Sequence, residues 1–106
     1  TNKVVNTIQS KSAEIDLVVV RMYPNPVNDV VFVSLRHEKG NEFTTKLISK
    51  VSIITMQGLI VLENKFENET EIRMDLPLEL HGFYFIKIID SDGQSHVEKM
   101  IVKDRF

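Results

Sequence analysis

The chain of 106 residues carries 13 basic and 15 acidic side chains, a net charge of −2, and 42% of its residues are apolar. This length predicts one domain with a modest core, and the chain is too apolar to be disordered. The absence of a basic tract argues against nucleic acid as a partner, and no apolar run is long enough to span a bilayer. The absence of cysteine excludes disulfides, thiol catalysis and thiolate metal sites.

The first 14 residues, "TNKVVNTIQSKSAE", are polar, weakly periodic and free of turn signals. We interpret residues 1–14 as a linker rather than a first strand. The chain begins at Thr1 without a visible signal peptide, so we expect it to be a piece of a longer protein whose passenger domain lies upstream. Residues 15–106 are then the predicted domain.

From Ile15 onward, short runs rich in β-branched residues alternate with turn residues. The loops are predicted at the prolines after the first run, at "HEKGNE", at Gln57-Gly58, at "ENET", at "PLELHG" and at "SDG". The predicted strands are 15–22, 30–36, 46–56, 59–66, 71–76, 83–90 and 94–103. Seven strands without a convincing helix predict an all-β fold, a seven-stranded immunoglobulin-like antiparallel β-sandwich, with a small closed barrel as the alternative.

The sequence contains no arrangement typical of a catalytic or metal site. The histidines at 37, 81 and 96 lie in separate segments without metal-binding spacing, so we expect them on the surface. "DSDG", residues 90–93, begins like a calcium loop, but Lys99 occupies the position where such a loop needs glutamate. No G-x-S-x-G or glycine-rich phosphate motif is present. The sequence therefore predicts no enzyme, no cofactor and no metal.

The run "FYFIKIID" is apolar on both faces of its predicted strand, although a half-solvated strand should alternate apolar and polar residues. One face carries Tyr84, Ile86 and Ile88. The other carries Phe83, Phe85 and Ile89, interrupted only by Lys87. Two explanations remain open: a loop or the N-terminal segment covers the second face, or that face contacts a partner or a second copy in a homodimer.

Four short motifs follow one another in a fixed order: "YPNPVNDVVFV", "VSIITMQGLIV", "DLPLELHGFYFIKI" and "EKMIVK". Together they make the chain from Val20 to Lys103 resemble the C-terminal sorting domain of proteins exported by the type IX (Por) secretion system of Gram-negative Bacteroidetes. Three features depart from the family pattern: Thr55 in the second motif, Phe83 after the glycine of the third, and the extra tail 104–106.

The resemblance implies a non-catalytic export signal on a periplasmic cargo. It implies recognition by the outer-membrane translocation machinery, then removal by a sortase-like peptidase and attachment of the cargo to lipopolysaccharide at the cell surface. Cleavage would fall near residues 1–16, and the cargo would end at the cell surface or outside the cell. The alternative is an adhesive or dimerising immunoglobulin-like module without a transport role, because the fold alone does not separate the two functions.

The motif residues have structural reasons of their own. The residues Tyr23, Pro24, Asn25 and Pro26 form a stiff corner, and we expect the Tyr23 hydroxyl to bond to a backbone group. Gly58 supplies the positive φ of a tight hairpin. Gly82 and Tyr84 resemble the corner of immunoglobulin-like sandwiches in which a tyrosine bonds to the backbone of a crossover.

The recognition signal is predicted in the final strand, Val97 to Lys103. Its residues Met100 and Val102 share one face, while Lys99, Ile101 and Lys103 share the other. A terminal edge strand of this kind is able to add to the sheet of a partner, and its lysines would prevent indiscriminate pairing.

Overall fold

The computed structural model describes residues 15–105, which form eight strands in two antiparallel sheets. The strands are β1 (Asp16–Tyr23), β2 (Val30–Lys39), β3 (Glu42–Lys46), β4 (Ile48–Thr55), β5 (Ile60–Glu69), β6 (Glu71–Asp75), β7 (Gly82–Asp90) and β8 (Ser95–Val102). None of these residues lies in a helix that could cross a membrane.

The long strand β2 organises the first sheet. It pairs with β1 from Phe32 to Lys39, while on its other side Val30–Ser34 pairs with β6 and Leu35–Lys39 pairs with β3. The second sheet has the order β5-β4-β7-β8, so β8 lies at its edge. Every strand pair in both sheets is antiparallel.

The core lies between the two sheets and is built from alternate residues of their strands. Side chains from both sheets are fully buried there, among them Val31, Val33 and Leu35 of β2, Val51 and Ile53 of β4, and Ile86 and Ile88 of β7. Each such side chain stabilises the fold by about 1.5–3 kcal/mol relative to an exposed position. The alternation that predicted the strands is thus the alternation that fills the core, and the predicted all-β sandwich is confirmed.

The structure has eight strands where seven were predicted. The segment "HEKGNE", predicted as a loop, is a hairpin: β2 continues to Lys39, Gly40 has a φ of 60°, and β3 begins at Glu42. The strand β3, "EFTTK", was missed because four of its five side chains are exposed, so it carries no apolar alternation. The predicted strand 46–56 is therefore divided, with Lys46 in the first sheet and Ile48 starting β4 in the second.

The predicted turn at "ENET" is also wrong. The strand β5 runs through Glu69, and only Thr70 separates it from β6. Asn68 adopts a φ of 54° within β5 and so supplies a bend without ending the strand. The interpretation of residues 1–14 as a linker falls outside the described residues and stays a prediction.

Candidate functional site at one end of the sandwich

The first motif joins β1 to β2, and its residues Pro24, Asn25 and Pro26 are exposed. The peptide bonds before both prolines are cis. The ring of Tyr23 stacks on Phe32 at a centroid distance of 5.4 Å, and its hydroxyl donates to the carboxylate of Glu71, a bond that raises the pKa of Tyr23. The prediction that the Tyr23 hydroxyl bonds to a backbone group was therefore wrong. The side chain lies on the outer face of the sheet, where the backbone is already paired and the side chains of β6 are within reach.

Val27 connects the first motif to the last strand. The backbone N–H of Val27 donates to the carbonyl of Ile101 at 2.8 Å, and the N–H of Lys103 donates to the carbonyl of Val27 at 2.8 Å. These bonds form a parallel bridge between Val27 and Val102, and both side chains are buried. The segment after the two prolines thus continues the second sheet for one residue beyond β8.

Arg105 holds three segments of the chain together at the same end. Its guanidinium donates to the carbonyls of Asn28 at 2.6 Å, Pro77 at 2.6 Å and Leu80 at 2.8 Å, and it lies 3.7 Å from the carboxylate of Asp29. The side chain of Arg105 is only 7% exposed. The planar guanidinium suits this role because it presents several N–H donors in fixed directions.

The third motif enters the same cluster through its corner. The N–H of Leu76 donates to the carbonyl of Asp29 at 2.8 Å, and Gly82 adopts a φ of 95° where the chain turns into β7. The hydroxyl of Tyr84 accepts a hydrogen bond from the N–H of His81 at 3.2 Å, which is the expected tie between a tyrosine and the backbone of the crossover. The half-buried ring of Tyr84 packs against the core.

The hairpin between β4 and β5 holds the second motif at this end, since Thr55 pairs with Tyr84 across the sheet. Gly58 has a φ of 97°, as predicted for a tight turn, and its N–H donates to the carbonyl of Thr55 at 2.9 Å. The Thr55 hydroxyl accepts a bond from the N–H of Leu59 at 3.1 Å. Parts of all four sequence motifs therefore meet at one end of the sandwich, which we call the motif end.

The recognition residues predicted in the final strand divide into two groups. Met100 and Val102 belong to the core, while Lys99, Ile101 and Lys103 are exposed. Because the carbonyl of Ile101 and the N–H of Lys103 point towards Val27, alternation directs the backbone groups of Val97 and Lys99 to the same side, away from β7. No backbone group within residues 15–105 pairs with them there. We call this stretch the open edge.

Phe83, Phe85 and Ile89 lie on the outer face of the second sheet. Phe83 is 56% exposed, while Phe85 and Ile89 are half-buried. No loop within the described residues covers Phe83, and the N-terminal segment proposed as a cover lies outside them. The Lys99 ammonium lies 5.7 Å from the centre of the Phe83 ring.

A second polar cluster lies at the opposite end, around the turn between β7 and β8. The buried carboxylate of Asp90 accepts hydrogen bonds from the N–H groups of Asp92 at 2.8 Å and Gln94 at 3.0 Å. His96 Nε2 lies 2.9 Å from it and Lys46 Nζ lies 3.5 Å from it. Burial raises the pKa of Asp90, but the hydrogen bonds from His96 and the backbone outweigh this and hold the pKa below its ordinary value.

The histidines do not converge on a shared ligand position. His96 pairs with Asp90 and is mostly buried, contrary to the expected surface position, while His37 lies 2.7 Å from the exposed Asp16. His81 is exposed at the motif end. Residues 15–105 contain no group of three potential ligands placed to hold a metal ion.

Three of the contacts that hold the two ends were missed from the sequence. Val27 fell in the predicted turn between the first two strands, Arg105 fell in a tail beyond the usual family ending, and Asp90 was predicted as the last residue of a strand before the "SDG" turn. The partners of Arg105 are 25 to 77 positions away in the chain, so no local pattern indicates them. Only the turn at Asp90 had a local signal, because an aspartate that starts a turn commonly bonds to the N–H two positions on.

The fold and the motif end define an antiparallel β-sandwich domain whose last strand is bonded to its first motif. The family model described as "Secretion system C-terminal sorting domain" matches residues 21–103. The chain therefore belongs to the family of type IX secretion C-terminal sorting domains, as its motifs predicted, and it is a signal domain of proteins exported across the outer membrane.

Among solved structures, the chain is similar to the crystal structure of CopC from Methylosinus trichosporium OB3b. The two share 18% identity over 80% of this chain and 94% of that chain, with a TM-score of 0.41. No curated protein sequence matches the chain significantly.

Proposed function

We propose that the folded domain, rather than a linear peptide, is the export signal, and that the outer-membrane translocation machinery reads it through β8. The observation that supports this most is the bonding of the last strand to the first motif. Val27 occupies the edge of β8 at Ile101 and Lys103, and the edge before them stays open. A partner strand that pairs with this edge meets backbone groups whose position depends on the intact motif end.

The division of residues in β8, and in Lys103 directly after it, suits this role. The buried Met100 and Val102 hold the strand against the core, while Lys99, Ile101 and Lys103 face outward. Backbone pairing at a sheet edge supplies affinity, and the alternate exposed side chains supply specificity. The lysines also reduce pairing with edges that do not offer complementary charge.

We further propose that a sortase-like peptidase removes the domain and that the cargo is joined to lipopolysaccharide at the cell surface. The support is the family resemblance together with the position of β1. The ladder of the first sheet begins at Asp16, which pairs with Lys39, so a peptide bond must precede β1 to be cut without opening the sheet. Cleavage near residues 1–16 releases the cargo and leaves the signal domain folded.

The open edge is tested with a proline in β8. The 106-residue chain is fused behind a periplasmic reporter in a bacterium with a type IX secretion system, and the reporter at the cell surface is measured. Val97→Pro removes an N–H that points away from β7, which an edge strand tolerates, and we expect the reporter to stay in the periplasm. The control, Val97→Ala, shortens the same side chain but keeps the N–H, and it should export normally.

A misfolded variant would also fail to be exported, so both variants are first compared with the wild type by thermal unfolding. Normal surface display of a folded Val97→Pro fusion would overturn recognition through the edge. Periplasmic retention of the wild-type fusion would overturn the export role itself.

The processing steps have their own measurement. We expect mass spectrometry to find a released domain whose first residue lies between positions 1 and 16, and we expect the surface reporter to migrate with the mass heterogeneity of lipopolysaccharide. A reporter that reaches the surface still joined to the domain would contradict removal of the signal.

The second candidate function is a module that adheres or dimerises through Phe83, Phe85 and Ile89. The exposure of Phe83 favours it. Measuring the solution mass of the wild type and of the double variant Phe83→Ser/Phe85→Ser tests this candidate function. A dimer that the double variant converts to a monomer would support this candidate, and a monomer in both cases would exclude it.

A further inference from the structure

The outer face of the second sheet combines apolar residues with lysines. Residues that pair across the strands share this face, and they form successive rows. The rows are Lys65, Lys50, Ile89 and Ser95; Glu63, Ser52, Lys87 and Val97; Ile60, Ile54, Phe85 and Lys99; and Phe83 and Ile101. We call these fourteen residues the apolar–basic face.

The apolar residues of this face are concentrated towards the motif end. Ile60 is 58% exposed, Phe83 56% and Ile101 38%, while Ile54 and Phe85 between them are half-buried. Met56 and Leu59, exposed in the adjoining hairpin, extend the apolar surface at the same end. Contiguous exposed apolar side chains on a small domain mark a contact surface more often than single exposed residues do.

The apolar–basic face carries a net positive charge. Four lysines stand against one glutamate, Glu63, in a chain whose net charge is −2. Glu63 accepts a hydrogen bond from the Ser52 hydroxyl at 2.8 Å and lies 3.7 Å from Lys50, and these contacts hold its pKa below the ordinary value. No carboxylate within residues 15–105 forms an ion pair with Lys65, Lys87 or Lys99.

We propose that the apolar–basic face binds a protein surface with apolar residues surrounded by carboxylates, presented by the export machinery. This inference rests on the proposed function and extends it from the edge of β8 to the face of the sheet. The two surfaces are continuous, because Val97 and Lys99 contribute backbone groups to the open edge and side chains to the face. A partner that pairs with the edge is therefore placed beside the face.

The charge favours such a partner over a second copy of the chain. A symmetric dimer buries the same patch of both copies, which would place the unpaired lysines of one face against those of the other. The arrangement also disfavours insertion into lipid. Lys87 lies in the middle of the face, between Phe85 and Ile89, so the apolar residues cannot enter a bilayer without it.

Two phenylalanines make a matched test. Phe83 is 56% exposed with the Lys99 ammonium 5.7 Å from its ring centre. Phe43, on the outer face of the first sheet, is 62% exposed with the Arg36 guanidinium 5.2 Å from its ring centre. Phe83→Ser and Phe43→Ser therefore remove the same side chain from similar surroundings, and only the first lies on the proposed surface.

The experiment is a competition for export. The reporter fusion is expressed together with an excess of the 106-residue chain without a reporter, and the reporter at the cell surface is measured. We expect the wild-type chain and Phe43→Ser to inhibit export, and we expect Phe83→Ser to need about tenfold more competitor for the same inhibition. Equal inhibition by Phe83→Ser and Phe43→Ser would overturn the proposal.

The charge is tested in the same assay. Lys87→Glu reverses an unpaired charge of the face, while Arg21→Glu reverses an exposed charge on the first sheet. We expect only Lys87→Glu to lose inhibition and Lys87→Arg to keep it. Full inhibition by Lys87→Glu would overturn the requirement for an acidic partner.

Two binding measurements test the alternative occupants of the face, which are lipid and a second copy of the chain. The wild-type chain is mixed with protein-free vesicles of phosphatidylglycerol and of lipopolysaccharide, and its solution mass is measured by sedimentation. Binding to either vesicle that Phe83→Ser abolishes would overturn the protein partner in favour of lipid, and a dimer that Phe83→Ser abolishes would overturn it in favour of a second copy. A wild-type fusion that is never exported fails the proposed function itself, whereas a fusion that is exported equally with and without Phe83 fails only this inference.

Discussion

The two ends of the sandwich are held together by different chemistry. At the motif end, backbone hydrogen bonds through Val27 and the guanidinium of Arg105 join the first motif, the corner before β7 and the end of β8. At the opposite end, the buried carboxylate of Asp90 gathers two backbone N–H groups, His96 and Lys46. The end that carries the family motifs thus relies on backbone groups and a guanidinium, whereas the other relies on a buried carboxylate whose pKa lies below its ordinary value.

The largest loss of stability should come from a substitution at the motif end. Arg105→Ala leaves three backbone carbonyls without their charged donor, and we expect the free energy of unfolding to fall by about 2–4 kcal/mol in urea titrations. Arg105→Lys keeps the charge but cannot direct donors to all three carbonyls, so it should recover less than half of the loss. If the free energy of unfolding of Arg105→Ala lies within about 0.5 kcal/mol of the wild-type value, Arg105 does not hold the motif end together.

Substitution at the opposite end should lower the free energy of unfolding by somewhat less. Asp90→Ala removes a buried carboxylate that accepts from two backbone N–H groups and contacts His96, and we expect a loss of about 2–3 kcal/mol in the same titrations. Asp92→Ala is the matched control, because the Asp92 side chain is exposed and its one ion pair within residues 15–105 is with Lys46, so its loss should stay below about 1 kcal/mol. Equal losses for the two variants would show that the turn, rather than the buried carboxylate, holds this end.

The two ends should also differ in how their contribution to stability depends on pH. The pKa of Asp90 is lower in the folded state than its ordinary value, so the stability that its charge contributes is present above about pH 4 and is lost as the pH falls through the folded value. We expect the wild type to lose stability between about pH 5 and pH 2, and Asp90→Asn to lose less of it. Arg105→Ala should follow the wild type in slope, because it leaves the contacts of Asp90 in place. A steeper slope in Asp90→Asn would contradict the assignment.

The same contrast explains what could be predicted from the sequence. Alternation along β2, β4 and β7 located the core strands, since Val31, Val33 and Leu35 need a period of two to face the opposite sheet. Four motifs in one order predicted the family, and the family model confirms it. Short-range patterns were sufficient for both, because they depend on the order of residues along a strand or turn.

The missed features depend on long-range contacts or on exposure. The strand β3 lies at a sheet edge with exposed side chains, so its pairing with β2 has no apolar pattern to indicate it. Arg105 bonds to Asn28 across 77 positions of sequence. The charge of the apolar–basic face is distributed over four strands, so Lys50, Lys65, Lys87 and Lys99 come together only in the folded sheet.

The smallest effect concerns Tyr23, which belongs to the motif end but lies on its exposed outer surface. Its hydroxyl donates to Glu71, and this bond raises the pKa of Tyr23 above its ordinary value. In a spectrophotometric titration of the tyrosines, we expect Glu71→Gln to lower the pKa of Tyr23, with little change in the free energy of unfolding. Tyr23→Phe keeps the ring stacked on Phe32 but removes the hydroxyl, so the titration step that disappears in this variant is assigned to Tyr23. A tyrosine titration that Glu71→Gln does not alter would mean that this bond is absent in solution, and that the motif end is held by Val27 and Arg105 without a contribution from Tyr23.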